Sequence, residues 1–410
     1  MKRIVDILKT NKSLFSYMAL SYFDKAIIFL LPLIVLQLFK DQTVYLSIEY
    51  IFSITVVIIP LIDFGLSGYF FYVYRNISNK EETVKNFVNV FQRVYVILSV
   101  LGGVIILIHY TAFEFEKFIL FIVCRVLFVL ATVFLSSYFR LTNRPEKAVY
   151  VTILSNATSL LFLLAYFLFD IEFSLWVIFI GQIIFSIFYL FRSISNILFD
   201  KEGFNTQQIK RLIKSTLLFS WPTIIQVFIM MYIVNYGKMN VLTKMTTEDG
   251  VLLSLVQRFS MVIFLTHSSL WAFIIKDIYV EKNLFLIKRR VFYKYLTFLT
   301  FALVMILMVT GAYIVYNYTS FQRVSCISVL IIGQTFFACI YAYLEMYYGR
   351  ENKNIIKLYL AIFSGSIFIA IITLVKIDFL ERISIAMFVS TFASLLLSVF
   401  VLYKRNYKIA

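Results

Sequence analysis

Histidine and cysteine are scarce in this 410-residue chain, with two and three copies, and only 15% of its residues are charged. These shortages exclude several chemistries. Cys124, Cys326 and Cys339 have neither metal-ligand nor redox spacing and read as small core residues. His109 and His267 stand alone, and on an ideal helix His267 lies about half a turn away from Arg258, so packing or an interfacial position suits it better than catalysis. No phosphate-binding loop, dinucleotide fingerprint, His/Cys metal pattern or nucleophile elbow stands at a strand–helix junction. The sequence therefore offers no catalytic residues, no metal site and no cofactor site.

Apolar residues, in contrast, make up 61% of the chain, far more than a soluble core of this length would bury. They come in runs of about twenty, each able to cross a hydrocarbon layer of ~30 Å at ~1.5 Å per residue. Backbone amides find no water at that depth, so the runs are expected to be helices. The fold class is all-α: a polytopic membrane protein of about twelve spans. These fall near residues 14–38, 45–72, 94–111, 118–139, 148–169, 174–197, 216–236, 251–275, 295–317, 324–348, 358–376 and 383–403. Lys2, Arg3, Lys9 and Lys12 make a basic start, but no cleavable pattern follows, so the first span is expected to be retained.

Net charge is +16, and its placement identifies its origin. The N-terminal tail, the loops around 75–93, 140–147, 192–215, 276–294 and 349–357, and the C-terminal tail hold 28 Lys and Arg, against seven in the opposite loops. By the positive-inside rule both termini are cytoplasmic. The basic excess is topological, and runs such as Lys288, Arg289, Arg290 read as solvated loop rather than as a nucleic-acid surface. The polar segment Phe199 to Ser215 divides six spans from six, giving an expected N-terminal lobe at 1–198, a cytoplasmic linker at 199–215 and a C-terminal lobe at 216–410. Leu14-Phe15-Ser16-Tyr17 and Leu218-Phe219-Ser220-Trp221 open the halves alike, each in a span that also holds a proline, Pro32 or Pro222. An even span number per half gives the parallel-repeat arrangement of many secondary transporters.

Function is sought at ionisable residues inside the spans, where a charge costs at least ~2.5–3.5 kcal/mol. Lys25 lies ~16 Å deep in the first span, counted at ~1.5 Å per residue, with Asp24 beside it. Tyr17, Ser21, Asp24 and Lys25 make one polar stripe; a self-contained Asp24–Lys25 or interhelical pair is the structural alternative to a site. In the second span Glu49, Ser53, Pro60, Asp63 and Ser67 share a face, so the two carboxylates mark the ends of an aqueous path. A gate pair or helix cap competes at Asp63, and simple interfacial exposure at Glu49. Arg125 and Arg258 lie ~10 Å inside the core, one in each half, either pointing inward or snorkelling to the interface. Pointing inward, Lys25, Arg125 and Arg258 form a cationic centre suited to a multiply charged phosphate. Asn156, Gln182, Gln226, Asn235 and Gln334 offer sugar contacts or, more commonly, interhelical hydrogen bonds.

The stretches Ala19-Leu20-Ser21-Tyr22-Phe23-Asp24-Lys25-Ala26-Ile27-Ile28-Phe29-Leu30-Leu31-Pro32-Leu33, Ile48-Glu49-Tyr50-Ile51-Phe52-Ser53 and Pro60-Leu61-Ile62-Asp63-Phe64-Gly65-Leu66-Ser67-Gly68-Tyr69 resemble the opening of bacterial polysaccharide flippases. These are the Wzx-type O-antigen and capsule transporters of the multidrug/oligosaccharidyl-lipid/polysaccharide (MOP) exporter superfamily. The detailed resemblance covers roughly the first 75 residues, and span number and midpoint loop carry the rest. It implies two six-helix lobes around a central cavity, alternating access, and an undecaprenyl-diphosphate-linked oligosaccharide moved from the cytoplasmic to the periplasmic leaflet of the inner membrane. By the same resemblance Lys25 and Arg258 bind the diphosphate; Arg125 joins them on its buried position. Asp24, Glu49 and Asp63 are candidates for gating or for coupling to protons or sodium, and nothing in the sequence chooses the ion. A drug exporter of the same superfamily remains open, as does a membrane glycan polymerase or acyltransferase.

The charge asymmetry predicts that reporter fusions after Ala410 and near Asn79, Asn205 and Asn352 face the cytoplasm, and those near Gln42, Phe113, Asp170 and Thr247 the periplasm. A periplasmic C-terminus in a stable full-length fusion contradicts the twelve-span topology.

Overall fold

The computed structural model describes residues 12–66, 69–70, 80–111, 118–142, 144–169, 174–199, 206–280, 284–317, 321–350 and 353–406. Twelve long helices follow one another: α1 (Lys12–Phe39), α2 (Gln42–Ile62), α3 (Lys80–Thr111), α4 (Ile119–Leu141), α5 (Pro145–Leu168), α6 (Trp176–Leu198), α7 (Thr206–Met239), α8 (Thr247–Val280), α9 (Leu284–Asn317), α10 (Phe321–Arg350), α11 (Asn354–Leu374) and α12 (Phe379–Asn406). Each contains a stretch long and apolar enough to cross a membrane. Large side chains such as Leu154, Leu161, Phe188, Phe191 and Phe301 stand exposed on their surfaces, as lipid-facing residues must. Several helices overrun the expected spans. α3 begins at Lys80 and α7 at Thr206, well inside segments expected as loops, because hydropathy registers only the part of a helix that sits in lipid.

Local chemistry sets the helix ends. Asp41 caps α2, its Oδ1 accepting from the amides of Thr43 at 2.8 Å and Val44 at 3.0 Å. Pro145 opens α5, where its missing N–H is not needed. The second span is not continuous: α2 stops at Asp63, and Phe64 and Gly65 turn the chain with φ of 50° and 66°. Asp63 carbonyl then accepts from Leu66 N at 2.9 Å, and Gly65 carbonyl from Tyr69 N at 2.9 Å. The expected span at 45–72 is thus broken at a residue able to take positive φ.

The chain forms two compact units, residues Met1–Ile224 and Ile225–Ala410. Their division falls inside α7, two residues beyond Pro222, and not in the polar segment 199–215. The first half of α7 packs on unit 1: Ser220 Oγ donates to Gly65 carbonyl at 3.3 Å, Phe219 meets Tyr69 at 5.5 Å between ring centroids, and Leu212 and Ile213 lie on the aromatic core. In unit 1, Leu31 and Val35 of α1, Ile48 and Ile51 of α2, Ile122 and Val126 of α4, and Val177 to Phe179 of α6 make one core. A second joins α3, α4 and α6 around Phe91 and Phe134, whose rings stack at 3.7 Å.

Unit 2 is organised around α10 and α12. Ser384, Ser390, Thr391, Ser394 and Ser398 on α12 are fully buried, and such small residues let helices approach closely. Ser364 Oγ of α11 donates to Ser390 carbonyl at 3.1 Å, Ser394 Oγ to Leu360 carbonyl at 3.4 Å, and Tyr348 hydroxyl of α10 to Ser398 carbonyl at 3.0 Å. Cys339 is buried here, but Cys326 is exposed near the start of α10. The expectation that all three cysteines are core residues fails at Cys326, where an outward apolar position accepts a thiol equally well.

A side chain at position 65 meets both a positive φ and Ser220, since a Cβ there overlaps Ser220 Cβ. Gly103 has open space around it. Gly65→Ala is therefore expected to destabilise the protein by at least roughly 1–2 kcal/mol, from the backbone conformation alone. Gly103→Ala is expected to be neutral or mildly stabilising. Thermal unfolding in detergent distinguishes them, and equal midpoints contradict the Gly65 packing.

Candidate functional site

The expected site residues take up different environments. Asp24 on α1 is buried at 3% exposure and has two partners: Lys25 Nζ lies 3.3 Å from Oδ2, and Asn156 Nδ2 of α5 donates to Oδ1 at 3.3 Å. Lys25 leaves the packed interior, its side chain 47% exposed. The adjacent pair expected as an alternative is therefore present, with the carboxylate inside and the ammonium available from outside. Helix geometry explains this, because neighbours on a helix point about 100° apart. The Tyr17 and Ser21 side chains lie outside the described residues.

Arg125 on α4 is buried at 9% exposure and points into unit 1 rather than snorkelling. Its Nη1 donates to Gln182 Oε1 of α6 at 3.0 Å, and its guanidinium carbon sits 3.4 Å from the centroid of the Phe52 ring of α2. One cation thereby joins three helices through a hydrogen bond and a cation–π contact. Among the described residues the buried Nε2 of Gln182 has no hydrogen-bond partner. Glu49, also on α2, is buried at 1% exposure and interacts within the protein. Interfacial exposure, the simple alternative for Glu49, does not hold, because the face carrying Glu49 and Ser53 is buried. Asp63 stands at the C-terminal end of α2, half-buried beside the turn at Phe64 and Gly65. Ser67, expected on the same face, lies outside the described residues.

In unit 2, Arg258 on α8 is buried at 3% exposure and has a partner inside the protein. Around it α8 is tied to its neighbours by polar links. Gln257 Nε2 donates to Val234 carbonyl of α7 at 3.1 Å, and Thr335 Oγ1 of α10 to Ser260 Oγ at 2.9 Å. Further along α8, His267 Nδ1 lies 2.6 Å from Tyr295 hydroxyl, which donates to Cys339 carbonyl at 2.9 Å. A tyrosine has one proton to give, so Nδ1 carries the hydrogen in that contact. His267 is a packed residue, as its isolation in sequence implies.

The polar amides mostly join helices. Asn156, Gln182, Gln226 and Gln334 bond across to other helices, whereas Asn235 bonds back to Met231 carbonyl in α7. The partner of Gln226 is Glu345 on α10, whose Oε1 accepts at 2.9 Å. The sequence does not single out Glu345, which sits near a helix end where a charge raises no alarm, and Lys357, expected in the loop 349–357, lies instead in the first turn of α11. The available signal was Glu345 lying inside an apolar run, five residues short of Arg350. Among the described residues no group of three or more His, Cys, Asp or Glu is placed to hold a metal ion.

No family model matches the chain, and no curated protein matches it in sequence. Solved structures do. The inward-closed lipid II flippase MurJ superposes with a TM-score of 0.68 at 16% identity, over 95% of this chain and 87% of that one. An outward-facing MATE-family multidrug resistance transporter of the MOP superfamily gives 0.58 at 10% identity, over 95% and 93%. An inward-facing MATE-family transporter of the same superfamily gives 0.57 at 12% identity, over 93% and 96%. At these identities the likeness is one of fold alone: the all-helical arrangement of this chain resembles that of these transporters.

Arg125 is expected to act first on the stability of unit 1. Arg125→Ala should cost about 2–3 kcal/mol, a charged hydrogen bond and a cation–π contact together. In a double-mutant cycle Arg125→Ala and Gln182→Ala should be non-additive, the coupling read from unfolding midpoints. Additive effects contradict the Arg125–Gln182 link.

Proposed function

We propose that this chain is a flippase for an undecaprenyl-diphosphate-linked oligosaccharide, carrying it by alternating access from the cytoplasmic to the periplasmic leaflet of a bacterial inner membrane. The observation that carries the reading is a buried arginine in each unit, Arg125 and Arg258, within a fold shared with a lipid II flippase. Burying a guanidinium in apolar surroundings costs several kcal/mol unless it is matched by partners. A chain that keeps two such groups, together with the exposed ammonium of Lys25, has chemistry suited to a diphosphate. Donors on a planar guanidinium match phosphate oxygens, and an ammonium adds a mobile point charge.

The three cations play unequal parts in this proposal. Lys25 has its ammonium exposed and Asp24 beneath it, so it can transfer from carboxylate to phosphate without first being dug out of a core. Arg258 supplies the second contact from unit 2. Arg125, engaged with Gln182 and Phe52, sets the frame of unit 1 and contributes long-range positive potential. The sugars would occupy the polar interior and the polyprenyl tail would stay in lipid. Asp24, Glu49 and Asp63 are the candidates for gating or for coupling to a proton or sodium gradient. Transport leaves the cargo covalently unchanged, so the chain is proposed to act without catalytic residues.

A second reading, export of cationic drugs, is favoured by the MATE-family likeness and by the buried carboxylates Asp24 and Glu49. The two readings separate in proteoliposomes. With undecaprenyl-diphosphate oligosaccharide on one side, the flippase exposes it on the other with its mass unchanged. Arg258→Ala and Lys25→Ala lose most of that movement at normal membrane abundance, and Arg258→Lys keeps part. Movement of a cationic dye without movement of the lipid supports the exporter. A lengthened glycan or a transferred acyl group promotes the enzyme alternative.

A further inference from the structure

Where α3 and α4 meet at one end of unit 1 they frame an open cleft of about 410 Å³, within the ~300–1,000 Å³ of ordinary small-molecule sites, and the flippase reading does not use it. Its charged groups, Glu81 and Lys85, are exposed and stand four residues apart on α3, so their Cβ atoms lie ~5–6 Å apart on one face. Asn89 follows one turn further along α3, and Tyr138 of α4 and Thr142 just beyond it form the opposite wall. Thr142 Oγ1 donates to Tyr138 carbonyl at 3.0 Å, which commits its proton locally and leaves its oxygen able to accept. Val84 and Val88 add an apolar lining.

The cleft lies at the level of lipid headgroups. The apolar stretch of α4 ends at Phe139, between Tyr138 and Thr142, and a tyrosine at the end of a span belongs to the interfacial aromatic belt. Further along α3, Ile97, Val100 and Leu101 are exposed as lipid-facing residues are. An occupant of the cleft therefore has charged groups around its polar part and hydrocarbon beside it. The two opposite charges select among headgroups. Glu81 disfavours a purely anionic one, whereas an ammonium and a phosphate joined by an ethylene bridge can meet Glu81 and Lys85 at the same time. Glu81 stands in the first turn of α3, where a carboxylate also suits the helix dipole, and Lys85 has a contact inside the protein. Neither role accounts for a cleft that opens between these charges and Tyr138. Among the described residues Glu81 is in no ion pair, and an ammonium with three protons can keep a protein contact and still serve a phosphate.

We propose that the cleft between α3 and α4 binds a zwitterionic aminophospholipid of the phosphatidylethanolamine class. Its ammonium sits on Glu81 and its phosphate on Lys85, the Tyr138 hydroxyl donates to a phosphate oxygen, and Val84 and Val88 lie against the glycerol and first acyl carbons. No covalent bond forms or breaks. Because both helices supply the site, occupancy ties α3 to α4 at the bilayer edge and stabilises unit 1 by mass action. The site stands whatever cargo the chain carries.

Native mass spectrometry tests this on the purified full-length chain, released from micelles that hold equal amounts of phosphatidylethanolamine and phosphatidylglycerol. The wild type should retain phosphatidylethanolamine in preference. Glu81→Gln should lower that preference about three- to fivefold, the size of a partly solvated charge pair. Glu82→Gln, one residue along and outside the cleft, should leave it unchanged. Lys85→Ala should reduce retention of both lipids. All three positions are exposed, so these variants keep the fold. Equal retention of the two lipids by the wild type, equal effects of Glu81→Gln and Glu82→Gln, or retention unmoved in Lys85→Ala overturns the proposal. Release of the bound lipid by free phosphoethanolamine at the same concentration overturns the lipid assignment and makes the occupant a soluble aminophosphate.

Discussion

A charge taken into apolar surroundings must be met by partners from other helices, and this constraint shapes both units. Arg125 meets it with Gln182 and the face of Phe52, and Asp24 with Asn156 and Lys25. Glu345, half-buried on α10, accepts from Gln226 of α7. Each solution fixes one helix against another more specifically than leucine packing can, since apolar side chains between helices compete with equally apolar lipid tails. Buried hydroxyls meet the smaller cost locally. Thr55, Ser186, Ser193, Ser328 and Ser384 each donate to the carbonyl four residues back, which satisfies these hydroxyls without holding the helices apart.

The same constraint divides the cations by role. Most Lys and Arg lie in the segments between the expected spans, on loops and helix ends; Lys25, Arg125 and Arg258 lie within spans and need another reason to be there. Arg125 has a structural one in full view. Lys25 does not, because an exposed ammonium beside a buried carboxylate contributes little to stability. A group that adds little to folding and still sits within a membrane span is a candidate for contact with cargo. This contrast sets Lys25 apart from Arg125 in the proposed diphosphate site.

Much of the fold is legible in the sequence because lipid imposes a simple rule. Twelve apolar runs became twelve helices, and amides such as Asn156 and Gln182 fulfilled their expected interhelical role. What stayed hidden depends on three-dimensional neighbours. The break at Asp63 to Gly65 is invisible to hydropathy, and it is stabilised by Ser220, 155 residues away. The division of the chain inside α7 follows from what its first half packs against, not from its own polarity. Glu49 seemed near enough to an interface to be exposed, yet its helix face turns inward. Glu345 is not singled out by sequence because a carboxylate near a helix end looks solvated until Gln226 of α7 is seen beside it.

The proposed cargo, a lipid-linked diphosphate oligosaccharide, is put to the test in cells by finding where the completed repeat unit stops when the protein is lost. The leaflet position of that lipid can be read with a membrane-impermeant glycan-modifying reagent applied to intact spheroplasts and to inverted vesicles. Accumulation on the cytoplasmic side, reversed by the wild-type chain and not by Arg258→Ala at equal abundance, is the predicted result. Accumulation on the periplasmic side, or no accumulation at all, contradicts the account.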